Sequence, residues 1–251
     1  MTEDPLVIVL LAVTALFAGT VDAIAGGGGL ITLPALLAAG LPPHLALGTN
    51  KGQSWCGSGA ALLSFWRAGH VDRRLAQLAF PIGLVGSFLG SQLVLLIEPA
   101  ALRPIVIAML IGAAVLMLIK KPEREVDLPE TRRTLAIAAG LAFAITVYDG
   151  FFGPGTGTFL IIGFVALCGM TMTRATADAK AVNFASNIAA VIAFGSAGEV
   201  LWRVALPMAA GQLCGGMLGA RLAIRGGAKL IRAMVFVTSS ALVAKLVYDL
   251  I

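Results

Sequence analysis

Four ionisable side chains stand inside otherwise apolar stretches of this sequence: Asp22 in "TVDAIAGGGG", Lys51 in "LGTNKGQSW", Asp149 in "TVYDGFFGPGTG" and Lys180 in "ATADAKAVNF". A bare charge at the middle of a bilayer costs at least about 2.5–3.5 kcal/mol, so such a residue serves a function or has a partner. A lysine facing a polar cavity attracts an anion. Asn50 beside Lys51, and Asn183 and Asn187 after Lys180, favour one shared cavity. A desolvated carboxylate can take up and release a proton, which makes Asp22 and Asp149 candidates for proton coupling. Blander readings stay open. Each lysine lies only about six residues, roughly 9 Å, into its helix and can snorkel to the headgroups. Each aspartate reads equally well as a helix cap or as a salt-bridge partner of one of those lysines.

Both carboxylates are followed by a glycine-rich break, Gly26, Gly27, Gly28 and Gly29 in the first case and Gly153 and Gly155 around Pro154 in the second, with Thr156 just beyond. Irregular backbone at membrane depth leaves N–H and C=O groups unpaired, so it survives only when buried in protein or lining a wet cavity. A half-helix restarting after each break, near Leu30 and near Thr158, presents N–H groups and the positive end of its dipole, which is an anion site. The competing reading is tight helix packing by small residues. No Gly-Lys-Ser/Thr follows the glycines, which opposes a nucleotide loop.

The elements that must position these residues are membrane helices. The chain has 251 residues, 59% hydrophobic and 12% charged, and a mean hydropathy of +0.95. So few charges exclude a soluble domain. Apolar runs of spanning length predict helices over 45–66, 75–97, 101–119, 175–197, 202–223 and 228–250. Segments 6–39 and 134–170 are too long for one span, and they carry the two breaks. "AIA" at 23–25 imitates a signal-peptide cleavage site, but the preceding "MTEDP" is acidic where a signal peptide is basic.

The sequence repeats itself. A shift of 129 lays Lys51 on Lys180, Ser58 on Asn187, Phe65 on Phe194, Gly90 on Gly219 and Arg103 on Arg232, and a shift of 127 lays Asp22 on Asp149 and Gly26 on Gly153. The domain expectation is a first membrane repeat over 1–119, a charged cytoplasmic linker over 120–133, and a second membrane repeat over 134–251. If each glycine-broken segment crosses once, ten cations outside the apolar sites fall on one side and six on the other. If each is a hairpin that returns to its starting face, the split is thirteen to three. The second arrangement obeys the positive-inside rule. It predicts an all-α polytopic bundle of two inverted repeats, each one hairpin plus three spanning helices, with both termini outside.

Cys56, Cys168 and Cys214 read as small buried residues, His44 and His70 as surface histidines in loops, and Trp55, Trp66 and Trp202 as packing or interface aromatics. No metal or cofactor is expected. The net charge of +5 needs no nucleic acid.

The motifs "D-A-x-x-G-G-G-G-x-x-x-x-P" at 22–34, "A-L-G-T-N-K" at 46–51, "K-A-V-N-F-x-S-N" at 180–187 and "G-x-x-L-G-A-R-L" at 215–222 resemble the TauE/SafE sulfite-exporter family. The resemblance implies a secondary transporter of small anions such as sulfite or organosulfonates, exporting them across the inner membrane. It carries binding roles onto Asp22, Gly26 to Gly29, Asn50 and Lys51, and onto Gly153, Gly155, Lys180, Asn183 and Asn187. "GTNK" in the first half faces "ADAK" in the second, which is expected to bring the negative charge of Asp178 near the site. The expected partners are a small anion and membrane lipid, with a homodimer left open. A channel or permease for another substrate is the alternative. An intramembrane enzyme is opposed by the lack of a nucleophile with its base.

Overall fold

The computed structural model describes residues 4–117, 126–128 and 131–250, and among these the chain is helical, with no strand. Most of the charged linker, including Lys120, Lys121 and Arg124, lies outside the described residues. The helices are α1 (Pro5–Ala25), α2 (Gly29–Ala38), α3 (Pro43–Arg67), α4 (Arg73–Leu95), α5 (Pro99–Met117), α6 (Arg132–Phe151), α7 (Thr156–Cys168), α8 (Met172–Ser196) and α9 (Trp202–Leu250). Gly227, at φ 57° and ψ −156°, breaks α9 between the two spans expected at 202–223 and 228–250. Among the described residues, three helices, α1, α4 and α6, are long and apolar enough to cross a membrane.

Local signals set the helix ends. Asp4 caps α1 by accepting from the Leu6 amide at 2.9 Å, and Asp72 caps α4 through the Arg74 and Leu75 amides. Thr131 and Thr134 form a reciprocal cap on α6. α1 stops at Gly26, whose φ of 81° lies in the left-handed region that favours glycine.

Both glycine-broken segments fold back on themselves. Gly28, at the start of α2, lies against Ala18 and Asp22 of α1, and Leu33 and Leu36 join Leu11 and Ala15 in one apolar cluster. α7 returns along α6 in the same way, with Gly163 against Leu141 and the Cys168 thiol 3.7 Å from the Thr134 carbonyl. α2 has 10 residues and α7 has 13, so at 1.5 Å per residue each reaches only about 15–20 Å, short of a span. The two turns meet. Gly157 abuts the Gly26 backbone, the Thr158 amide donates to the Gly26 carbonyl at 3.3 Å, and the Thr158 hydroxyl donates to the Ala25 carbonyl at 2.7 Å.

Helix contacts recur at matched positions of the two halves. A Cβ on Gly86 or Gly90 of α4 would collide with the Phe143 or Val147 carbonyl of α6, and one on Gly215 or Gly219 of α9 with the Leu16 or Thr20 carbonyl of α1. Each half thus lends its hairpin to a helix of the other. Within each pair, position advances together on both helices, so the partners run parallel. α3 and α8 run antiparallel, with Gly48 near Phe194 and Gly59 near Phe184. Between them, Asn187 Nδ2 donates to Ser58 Oγ at 3.2 Å, a contact between two positions that the 129-residue shift superimposes.

Three expectations are corrected. His44 sits in the first turn of α3, buried, with Nε2 3.0 Å from the Val94 carbonyl; the preceding prolines start the helix earlier than apolar periodicity indicates. Cys214 is exposed and Cys56 half-buried; in a bilayer a small soft side chain can face lipid without cost.

The glycine seams are testable. Gly90→Ala should lower the stability of the detergent-solubilised protein by about 1–3 kcal/mol through overpacking. Gly112→Ala, in α5 where a Cβ meets open space, should leave thermal unfolding unchanged or slightly later. Equal effects at the two positions would refute the seam.

Candidate functional site

The two turns, with the middles of α3 and α8, enclose a small polar cavity. It is lined by Asp22, Gly26, Gly28 and Gly29 from the first hairpin, Asp149, Gly153, Gly155, Thr156 and Gly157 from the second, Asn50, Lys51 and Ser54 of α3, Asn183 and Asn187 of α8, and Gln212 of α9. Its volume of about 20 Å³ is roughly that of one water.

The four charges form two crossed ion pairs. Lys51 Nζ lies 2.7 Å from Asp149 Oδ1, and Lys180 Nζ lies 3.1 Å from Asp22 Oδ2. Each pair joins a lysine of one half to the aspartate of the other. Snorkelling is overturned, because Lys51 is 2% exposed and Lys180 fully buried. Burying a charge is tolerated only when it is paired and hydrogen-bonded, and both pairs have such support.

That support differs between the pairs. Asp149 accepts from the Thr156 hydroxyl at 2.8 Å and from the Ser186 hydroxyl, and its side chain is 3% exposed. Lys51 also donates to Asn187 Oδ1 at 3.4 Å, and Asn187 donates to Asn183 Oδ1 at 3.2 Å. Asp22 accepts from the Gly28 amide at 3.2 Å, and Lys180 further donates to the Asp22 carbonyl. Where Ser186 and Thr156 serve Asp149, the matched positions in the other half are Gly57 and Gly29. Asp22 therefore lacks both hydroxyl donors, and its side chain is 19% exposed.

Glycine is required at Gly153 for a steric reason beyond its φ of 101°. A Cβ there would stand 2.9 Å from Lys51 Nζ and 3.2 Å from Asp149 Oδ1. The break lets the ion pair form against bare backbone. The N-cap residues of α2 and α7 are Gly28 and Gly155, which have no side chain to cap with, and both helices begin at the cavity wall, at Gly29 and Thr156, close to the expected starts.

Of the residues expected at the site, twelve line the cavity. Lys180 stands behind Asp22, and Gly27 is buried but does not face the cavity. Asp178 is not near it. Two residues from Lys180 on α8, it points about 200° away, with Oδ1 accepting from the Asp72 amide at 2.7 Å and Oδ2 3.6 Å from Arg174 Nε. Arg174 also pairs with Asp72 and reaches Asp127 of the linker at 4.0 Å. Ser54, Gly157 and Gln212 were not legible as site residues, and neither was Ser186. The signal available was an uncharged polar residue inside a membrane run, as in "AAGQLCGG" and "NFASN".

Residues 11–246 match the family described as Sulfite exporter TauE/SafE. The chain is 41% identical to "Probable membrane transporter protein ORF9" of a Sinorhizobium species, covering 95% of this chain and 92% of that one. It is 39% identical to "Probable membrane transporter protein YfcA" of Escherichia coli K12, over 98% and 91% of the two chains. It is 38% identical to a probable membrane transporter protein of Haemophilus influenzae, over 92% and 91%. No solved structure matches the chain. These matches cover both hairpins, all four paired charges and the helices that hold them: the chain belongs to the TauE/SafE family of membrane transporters.

Proposed function

We propose that this chain exports small sulfur-containing anions, sulfite or organosulfonates, across the cell inner membrane by alternating access at the cavity between the two turns. The observation that carries the reading is the crossed pair of Lys–Asp bridges, each spanning the two halves beside the turns from which two half-helices start. An anion drawn in by Lys51 competes with Asp22 for Lys180, which stands behind that carboxylate, and a carboxylate left without its counter-ion in low dielectric takes a proton. Asp22 is the coupling residue of the two, being more exposed and held by fewer donors than Asp149. A divalent sulfite leaving with one proton still carries net negative charge outward, which an interior-negative potential favours.

The moving parts are two inverted repeats, residues 1–119 and 134–251, joined by a cytoplasmic linker at 120–133. Antiparallel α3 and α8, meeting at the matched pair Ser58 and Asn187, support an axis lying in the membrane plane. The Arg174–Asp72 pair supports hairpins that return to their starting face, since single crossings would put these two residues on opposite sides. The cavity opens to either side as the halves rock about it.

Two experiments test this reading. In a variant otherwise free of cysteine, Val126→Cys in the linker should label from the cytoplasm and Glu98→Cys in the α4–α5 turn from outside; labelling of both from one face would overturn the topology. In proteoliposomes, Asp22→Asn should bind sulfite but lose the pH dependence of its flux. Lys51→Ala should abolish flux and lower stability by about 3–5 kcal/mol by orphaning Asp149, and adding Asp149→Ala should restore the fold without flux. Normal sulfite flux in Lys51→Ala/Asp149→Ala would remove the anion site.

A further inference from the structure

A second cavity, of about 660 Å³, opens on the outer face of the helices between α3, α8 and α9. Its size lies within the range of small-molecule sites. Trp55, Leu63, Leu213 and Met217 make most of its wall apolar, and Arg67 and Arg221 also line it. Gly52 lies by Ala205 and Gly57 by Gln212, so α3 and α9 run parallel and their arginines fall at one end, the end of the Asp72–Arg174 cluster.

The repeat supplies an internal comparison. A smaller groove of about 320 Å³ is lined by Leu84, Phe88, Ala189 and Ile192, which the 129-residue shift places on Leu213, Met217, Ala60 and Leu63 of the large one. Where the large groove has Arg67 and Arg221, the matched positions are Ser196 and Gln92. The same scaffold thus forms two lipid-facing grooves, and only one carries a pair of cations. Since α3 and α8 are antiparallel, the grooves open toward opposite ends of the molecule. Packing alone would not select arginine in one groove and neutral residues in its twin.

We infer that the large groove binds an anionic phospholipid of the cytoplasmic leaflet, its phosphate held by Arg67 and Arg221 and one acyl chain lying along the apolar wall. The chemistry suits this occupant: guanidinium groups pair with phosphate in a bidentate manner, and basic residues at the cytoplasmic boundary attract acidic headgroups. The site is independent of which anion the central cavity carries.

The test is native mass spectrometry of the full chain released from micelles containing phosphatidylglycerol or phosphatidylcholine in turn. The wild type should retain phosphatidylglycerol, and Arg67→Gln/Arg221→Gln should bind it about tenfold more weakly, each cation contributing several-fold at a headgroup. Arg67→Lys/Arg221→Lys should bind between the wild type and the glutamine variant, keeping the charge without the bidentate geometry, and Ser196→Ala/Gln92→Ala should change nothing. Equal retention of both lipids by the wild type, or undiminished phosphatidylglycerol in the glutamine variant, would overturn the site. A wild-type dimer that the glutamine variant converts to monomer would assign the groove to a second copy of the chain instead.

Discussion

Two ammonium–carboxylate pairs, crossed between the halves, are the constraint around which this bundle is arranged. Each of the four charges alone would be expelled from the interior, and each is held because its partner comes from the other repeat. The pairs therefore act as clamps: Lys51 of α3 needs the α6–α7 turn against it, and Lys180 of α8 needs the α1–α2 turn. Neither half can satisfy its own lysine.

The backbone breaks follow from that demand. For Lys51 to reach Asp149, its ammonium must lie against bare main chain at Gly153, where any Cβ would intrude. For the two turns to meet, Gly26 and Gly157 must touch without side chains, and Thr158 then satisfies the Ala25 and Gly26 carbonyls that the end of α1 leaves over. The same close approach continues outward along the α1–α9 and α4–α6 seams. In a bilayer, where apolar surface gains little by leaving lipid, such backbone-to-backbone packing and buried polar pairing are what hold helices together.

Near-symmetry also sharpens the differences between the halves. Asp149 accepts from the hydroxyls of Thr156 and Ser186, whereas the sequence positions matching those two in the first half are glycines, Gly29 and Gly57. One end of the bundle holds the Asp178, Arg174 and Asp72 cluster. At the other end the equivalent contact is neutral, the Leu201 amide donating to the Thr49 hydroxyl at 3.0 Å. One scaffold is thus tuned twice, at its centre and at its ends, by changing donors and charges rather than backbone.

Composition and apolar run length by themselves determined a helical membrane chain, because hydrocarbon permits little else for so few charges. The 129-residue shift and the glycine breaks likewise marked the hairpins, the half-helix starts within two residues, and twelve of the residues that line the cavity. What the sequence left open was whether Lys51 and Lys180 snorkel or pair, since reach along a helix is local while the partner lies 98 or 158 positions away. Only tertiary structure decided that each lysine takes the aspartate of the opposite half, that Asp178 turns away from the cavity, that Gln212 lines it, and that Ser186 donates to Asp149. A polar side chain inside a membrane run has many admissible partners in sequence. Which one it meets depends on the rotation of its helix and on the neighbour packed against it.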